Sequence, residues 1–434
     1  MSKVTLKEVS ELITKGTTPS SVGCEFVKEG INFIKSESIS NSKYLNSSIY
    51  EHIDHETDRR LKRSRIKAGD LLFSIAGAYL GKIAIVQHND VPANTNQAVG
   101  IVRLKKDKVN VDYVYYYFSQ NNINAYVNKL SSQSSQPNLN LDLLGKLEFE
   151  YREIKDQQKI ASVLSALDSK IELNNRINTE LEAMAKTLYD YWFVQFDFPD
   201  ENGKPYKTSG GKMVWNEALK REVPEGWEVK PLSKISDVSN ESINPMDFPD
   251  KEFKYYSIPG FDESSTFKIE KGMEIRSSKY SIKNTDVLVS KLNPWFNRVI
   301  YATDDSDLIS STEFVVWRTV NIAIKNYMYM IARDASFVTF CTKSASGTSN
   351  SHKRVNPTVM MKYLIVFDNR IATLFGNTLG SSIKMLAKNK IENQKLTELR
   401  DWLLPMLMNG QVKVVDEKES ELLMAAEPKM EYGK

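Results

Sequence analysis

Hydrophobic and polar positions along the 434-residue chain fall into two kinds of pattern, one of short mixed elements and one of long uninterrupted helix. Val4, Val9, Leu12 and Ile13 lie at helical spacing, which predicts a helix over residues 4–13. Residues 70–75, 82–87 and 99–104 are short apolar runs bounded by Gly and Asp, the pattern of strands. Residues 113–126 are rich in aromatics and predict a helix, and residues 131–138 form a polar loop. From Asp156 to Trp192 there is no Pro or Gly. Ile160, Leu164, Leu167, Ile171, Leu181, Ala185 and Leu188 share one heptad register there, interrupted by Asn174 and Asn178. A helix of about 36 residues would be about 54 Å long, longer than a compact domain needs, so it predicts a strut.

A second long helix is predicted over residues 369–408. Its register carries Leu374, Thr378, Met385, Asn389, Glu392, Leu396, Leu399, Leu403 and Met406. Gly376 and Gly380 weaken its first turns, Pro405 should kink or end it, and Gly410 suits a C-terminal cap. Antiparallel pairing of the two helices would bring their polar centres together, and buried Asn fixes register at a cost in stability.

The mixed-element pattern occurs twice. Ile66-Lys67-Ala68-Gly69-Asp70-Leu71-Leu72-Phe73-Ser74 matches Ile282-Lys283-Asn284-Thr285-Asp286-Val287-Leu288-Val289-Ser290 at an offset of 216. In the same order, residues 97–100, 113–115, 142–147 and 160–164 match 313–316, 327–329, 359–364 and 371–375. The polar loop at 131–138 has its partner at 344–354. The period is far too long for a solenoid unit and indicates two copies of a domain with the helix that follows it. The division expected is 1–150, first domain; 151–198, first long helix; 199–226, linker; 227–367, second domain; 368–410, second long helix; and 411–434, a loosely ordered tail. The fold class is α/β (α+β), with two tandem globular domains, each followed by a long helix, and the two helices pairing as an antiparallel coiled coil.

Composition narrows the possible functions. With 41% hydrophobic and 26% charged residues the chain is globular rather than disordered. No apolar run is long enough to span a bilayer, and the first residues lack the apolar core of a secretory signal, so a cytoplasmic protein is expected. Two cysteines, Cys24 and Cys341, make no disulfide framework, and four scattered histidines make no metal site. Net charge is only +3, but mildly basic blocks at 1–150 and 227–367 alternate with an acidic one at 151–200, which suits two surfaces facing one polyanion.

Motifs for catalysis are incomplete. Asn293-Pro294-Trp295-Phe296 approaches the Asn-Pro-Pro-aromatic set of amino-methyltransferases, but lacks the second Pro and any glycine-rich cofactor loop. Gly77 to Lys82 is one residue short of a phosphate-binding loop, with Ile83 where a hydroxyl must ligate Mg²⁺. Pro249-Asp250 abuts Glu252-Phe253-Lys254, too close for two carboxylates to converge on one metal from adjacent strands. No catalytic residue, cofactor site or metal site is assigned.

The remaining chemistry suits DNA. Arg and Lys pair with guanine, Asn and Gln with adenine, and Lys, Ser and Thr with phosphate. The candidates in the first copy are Lys62, Arg63, Arg65, Lys82, Asn94, Asn96, Gln97, Ser134 and Gln136. Those in the second are Lys291, Asn297, Arg298, Ser311, Thr312, Thr348, Ser349, His352, Lys353 and Arg354. Any one of them could be an ordinary solvated loop residue; the recurrence of the polar loops in both copies strengthens the set. Helix pairing and register fall to Leu164, Leu167, Ile171, Asn174, Asn178, Leu181, Asn389, Leu396 and Leu399.

Over nearly its whole length the chain resembles the specificity subunit of a type I restriction-modification system. The resemblance rests on Ile66 to Ser74, Gly77 to Lys82, Asp156-Gln157-Gln158-Lys159-Ile160-Ala161-Ser162-Val163-Leu164-Ser165-Ala166-Leu167-Asp168, Val223-Pro224-Glu225-Gly226-Trp227, Gly347-Thr348-Ser349 and Leu407-Met408-Asn409-Gly410. The second long helix departs from the pattern in lacking the Gln-Gln-Lys-Ile opening of the first. The resemblance implies two target-recognition domains, each reading half of a bipartite DNA site, with the paired helices as a ruler for the unread spacer. It implies modification subunits, two of them, that methylate adenine with S-adenosylmethionine, and restriction subunits that translocate and cleave DNA with ATP and Mg. A stand-alone DNA-binding regulator, an enzyme fused to its own recognition module and a coiled-coil scaffold are the alternatives.

Overall fold

Both faces of the strand Leu71–Ser74 are buried, which is why its sequence is continuously apolar instead of alternating. Leu71 and Phe73 enter one core, with Tyr113, Val114 and Phe149, while Leu72 enters another with Ile34, Ile66 and Ile101. In the second copy Val287 and Val289 join Trp317, Tyr327 and Met328, while Leu288 joins Tyr256, Phe314 and Val316. In each copy one central sheet therefore separates a helix-covered core from a sheet-covered one.

This computed structural model describes residues 2–40, 42–77, 80–120, 125, 138–347 and 352–415. It divides into two compact units, the first taking the chain up to Lys170 and from Leu396 on, the second Ile171–Lys395. In the first unit the central sheet has the order Ser10–Lys15, Val99–Leu104, Leu71–Ser74, Ile83–Ile85, all antiparallel. The second sheet has the order Glu51–Ile53, Ile31–Ile34, Ala93–Thr95, Arg65–Ile66, with its middle pair parallel. Lys3–Thr5 pairs with Glu148–Glu150 and closes the domain.

The second unit repeats this plan. Its central sheet runs Asp237–Ser239, Phe314–Arg318, Asp286–Ser290, Val299–Tyr301. Its second sheet runs Ser242–Ile243, Lys279–Ser281, Leu308–Ser310, Glu252–Tyr256, Lys268–Lys271, again around one parallel pair and with one strand more. Glu228–Pro231 pairs with Leu364–Phe367 as the closing ladder. The repeated Asp of the matching segments has one role in both. Asp70 accepts from Lys67 N and from the Arg103 guanidinium at 2.8 and 2.7 Å, and Asp286 accepts from Lys283 N and from Arg318 at 2.9 Å twice. The hydrogen bonds of each carboxylate hold its arginine above the ordinary guanidinium range.

The long helices span Ile154–Tyr189 and Asn369–Asn409. Within the first unit Ile160, Ala161 and Leu164 share a core with Leu404, Leu407 and Met408, and Arg400 donates to Asp168 at 2.8 Å. Within the second unit Asn174 and Asn178 meet Asn393 and Asn389, so the partner number falls as the first rises and the pairing is antiparallel.

Several sequence expectations change. Only Leu6–Val9 is helical in the stretch 4–13, because Thr5 caps one turn and Ser10–Lys15 then pairs along Val99–Leu104. The aromatic helix covers Val111–Ser119, and most of the remaining stretch to Tyr126 lies outside the described residues. Pro405 does not end its helix, which runs on to Asn409 before Gly410 turns at φ +79°. Gly376 is a notch: a Cβ there would lie 1.9 Å from Ala323 O, and Asn326 Nδ2 donates to Gly376 O at 2.8 Å. The segment 199–226 contains an ordered hairpin, Met213–Asn216 with Arg221–Pro224, and Tyr206 stacks on Phe198 at 4.7 Å.

Candidate nucleic-acid interface

In the second unit, strand pairing delivers the polar candidates to one place. The hairpin of Asp286–Ser290 and Val299–Tyr301 carries Lys291, Asn297 and Arg298 in its connecting loop. Lys291 N donates to Glu313 O at 2.9 Å, which sets the loop beside Ser311 and Thr312. Val355 N donates to Lys291 O at 3.0 Å, and Asn293 N to Lys353 O at 2.7 Å, which draws in Lys353 and Arg354. Lys291 and Thr312 also line a groove of about 440 Å³ with Ser239, Asn240 and Tyr280. Lysine, hydroxyl and amide groups around such a concavity suit phosphate oxygens and base edges.

Three arginines among the candidates are clamped by carboxylates. Arg354 donates to Glu313 at 3.0 and 3.2 Å, Arg298 to Asp262 at 2.5 and 2.8 Å, and Arg65 to Asp58 at 3.1 and 2.5 Å. Each fork is held in a fixed orientation, and a DNA acceptor must share or displace the carboxylate. Asn297 donates to Arg333 O at 3.3 Å. His352 is exposed, while Thr348 and Ser349 lie outside the described residues.

The first unit has the same juxtaposition of hairpin tip and loop. Ala76 bridges Asn138, and Leu139 N donates to Ile75 O at 2.9 Å, as Leu292 bridges Arg354 in the other unit. Ser134 and Gln136, in the loop that precedes Asn138, lie outside the described residues. Gln97 accepts from Thr18 Oγ1, and Arg63 reaches Thr17 Oγ1 at 3.5 Å, so Arg63, Asn96 and Gln97 border one surface. Lys62 is exposed beside Arg63 and Lys82 is half-buried after the hairpin tip.

Asn94 differs from its neighbours. It is completely buried, donates to Asp58 Oδ1 and Leu61 O at 3.2 Å each, and accepts from Thr95 N at 3.0 Å. With its amide committed on both sides it belongs to the support of Arg65, and it offers no free edge to a base. The sequence signal for it was only its polar neighbourhood.

At the helix seam, Leu164 is fully buried, Leu167, Ile171, Leu181 and Leu396 are half-buried, and Asn174, Asn178 and Asn389 are buried. Asn389 donates to Asn178 Oδ1 at 2.9 Å, and Asn174 to Glu392 Oε2 and Asn393 Oδ1 at 2.9 Å each. Leu399 is 43% exposed and stands outside the seam, because the seam alternates by i+4 there: Asn389 is followed by Asn393 and Leu396 by Arg400, which leaves the i+3 position turned to solvent. Gln157 was missed as a structural residue although it lies in the most distinctive motif. Fully buried, it accepts from Asn110 N at 2.8 Å and donates to Arg152 O at 2.8 Å, locking the start of the first long helix to the cap of the domain helix.

Among the described residues no three His, Cys, Asp or Glu side chains gather into a group that could hold a metal ion, and no helix is long and apolar enough to cross a membrane.

Comparison with known proteins agrees with this arrangement. Residues 1–183 match the family described as type I restriction modification DNA specificity domain. The chain is 26% identical to the type I restriction enzyme MjaIX specificity subunit of Methanocaldococcus jannaschii, over 94% of this chain and 93% of the relative. It is 23% identical to the HindI specificity subunit of Haemophilus influenzae, over 88% and 94%. Its fold is similar to the crystal structure of the type I restriction-modification S subunit from M. genitalium, with a TM-score of 0.57, 14% identity and coverage of 94% and 96%.

Proposed function

As the chain belongs to the family of type I restriction-modification specificity subunits, we propose that its two domains each read one half of a bipartite DNA site. It is the DNA-recognition subunit of such a complex, non-catalytic itself, and it directs partner subunits to their target. The observation that carries the two-reader proposal is the repeated clasp of hairpin tip and polar loop, Ala76 with Asn138 in one unit and Leu292 with Arg354 in the other. A single-site reader has no use for two such surfaces on one duplicated plan.

The division into 1–150, 151–198, 199–226, 227–367, 368–410 and 411–434 is the corresponding functional proposal, with the helix pair setting the unread spacer. Contacts to DNA fall to Lys62, Arg63, Lys82, Asn96, Gln97, Lys291, Ser311, Thr312, His352 and Lys353, with the clamped Arg65, Arg298 and Arg354 as oriented donors. Ser134, Gln136, Thr348 and Ser349 belong to the same loops by sequence. Asn94 is left to a supporting role.

Partners on this reading are two modification subunits, which use S-adenosylmethionine to methylate adenine, and restriction subunits, which use ATP and Mg. Apolar side chains that remain exposed favour partners over a stand-alone regulator. Those on the long helices include Leu173, Met184, Leu374 and Met385 in the second unit, and Leu399 with Trp402, 56% exposed, in the first. A scaffold alone would leave the paired recognition surfaces without a use.

The test is co-expression with a type I modification subunit from the same genome, followed by mapping of methylated adenine in the host genome by long-read sequencing. A bipartite motif that appears only with this chain is expected. A stable, S-adenosylmethionine-binding complex that methylates nothing would reject the reading.

A further inference from the structure

The loop that carries Lys291 also brings two large aromatic rings to the surface. Trp295 is 38% exposed and Phe296 is 58% exposed, with ring centroids 5.9 Å apart. They sit on a short turn, Pro294–Phe296, bracketed by Asn293 at φ +47° and Asn297 at φ +49°. Asn is one of the few side chains that tolerates this left-handed backbone. The bracket makes a sharp turn that buries Pro294 and leaves Trp295 and Phe296 at the surface.

The turn is fastened from several directions. Asn293 exchanges hydrogen bonds with Lys353, N to O at 2.7 Å and Oδ1 from N at 3.0 Å. Asn297 Nδ2 donates to Arg333 O at 3.3 Å, and Pro294 is buried. The Arg298 guanidinium backs the Phe296 ring at 4.5 Å while Asp262 holds the arginine. A rigid frame thus leaves Phe296 mostly and Trp295 partly in water, although burial would favour a loop that folded both inwards. Lys291 and Lys353 stand on the segments that clasp the turn, next to Arg354 with its Glu313 partner.

We propose that Trp295 and Phe296 form a wedge that enters the DNA half-site read by the second domain, with at least one ring stacked against a base at a partly opened step. Rings presented on a fixed turn and flanked by cations suit a base stack bordered by phosphates; apolar wedges of this kind unstack and kink duplex DNA. The charge around the rings selects DNA over an apolar protein groove. The inference rests on the DNA-recognition reading above and adds to it the residues that deform the duplex, as distinct from those that read base edges.

The experiment uses the full chain purified with its modification partner, bound to duplexes that carry the methylated motif. Each pyrimidine of the motif is replaced in turn by 5-iodouracil or 5-iodocytosine, and the complexes are irradiated. The expected result is an adduct at one step of one half-site, located by mass spectrometry on Trp295 or Phe296. Trp295→Ala with Phe296→Ala should abolish it and weaken binding by about ten- to a hundredfold, the scale of losing a stacked base. Trp295→Phe with Phe296→Tyr should keep affinity and adduct, which separates stacking from a folding defect. No adduct on either residue at any position overturns the wedge. So does a double alanine variant with undiminished affinity, or one that binds DNA normally but no longer retains the modification partner. A wild-type complex that methylates no bipartite motif overturns the recognition reading itself, and the wedge with it.

Discussion

Lys325 sits in a helix of the second unit, 1% exposed, with its Nζ donating to Asn284 O at 2.6 Å and to Ala302 O, and lying 3.3 Å over the Tyr301 ring. Burial pushes its ammonium down to about 7, against the opposing pull of Asp286 and Asp304. An unfolded lysine titrates near ~10.4, so between about pH 7 and 10 the unfolded chain binds the extra proton. Stability of the second unit should therefore rise with pH across that window, by about 1 kcal/mol per pH unit, and level off below pH 7. Lys325→Met should flatten this slope. Thermal melts of both proteins from pH 6 to 10 check it, and parallel curves would refute it. Such a residue is invisible to a sequence scan, which sees a lysine in an amphipathic helix. Asn94 makes the same point in the opposite direction: its residue type suggested readout, and burial made it a brace for Asp58 and Arg65.

At the scale of elements, the polar centre of the helix pair is where register is decided. Asn178 and Asn389 are both buried and bonded to each other at 2.9 Å. Asn178→Leu alone should cost about 1–3 kcal/mol, because it strands the buried Asn389 amide. Asn178→Leu with Asn389→Leu should recover most of that loss, giving a coupling visible in a urea-denaturation double-mutant cycle. Additive losses would mean that the bond carries no register information. The heptad spacing made the existence of both long helices legible from sequence. It failed at Leu399, where the seam takes the i+4 residue Arg400 in place of the i+3 leucine, and at Gly376, where close approach to Ala323 turns an apparent helix weakness into a packing requirement. The stretch 4–13 misled for a related reason: its apolar spacing fits a helix, but an available strand partner at Val99–Leu104 captures its second half.

For the whole molecule, the proposal separates what is read from how far apart it is read. Exchanging residues 1–150 for those of another family member should change one half of the methylated motif and leave the other half unaltered. Shortening both long helices by matched heptads should change the spacer and leave both halves intact. Long-read methylation maps of the two variants decide each case. Altered halves with a constant spacer would reject the ruler, and a change in both halves after a single exchange would reject the two-reader division.

The repeat at an offset of 216 was enough, by itself, to establish a duplicated α/β plan with helices between and after the copies, because apolar periodicity and turn residues act locally along the chain. Burial and hydrogen-bond partnership belong to residues far apart in sequence, and these the tertiary structure decided. It committed Asn94 and three arginines to carboxylate braces, gave Gln157 its lock on Asn110, and gathered Lys291, Thr312 and Lys353 onto one surface. It also left Phe296 mostly and Trp295 partly in water, since only the packing of a hairpin tip against a distant loop determines which aromatic rings find a core and which stay at the surface.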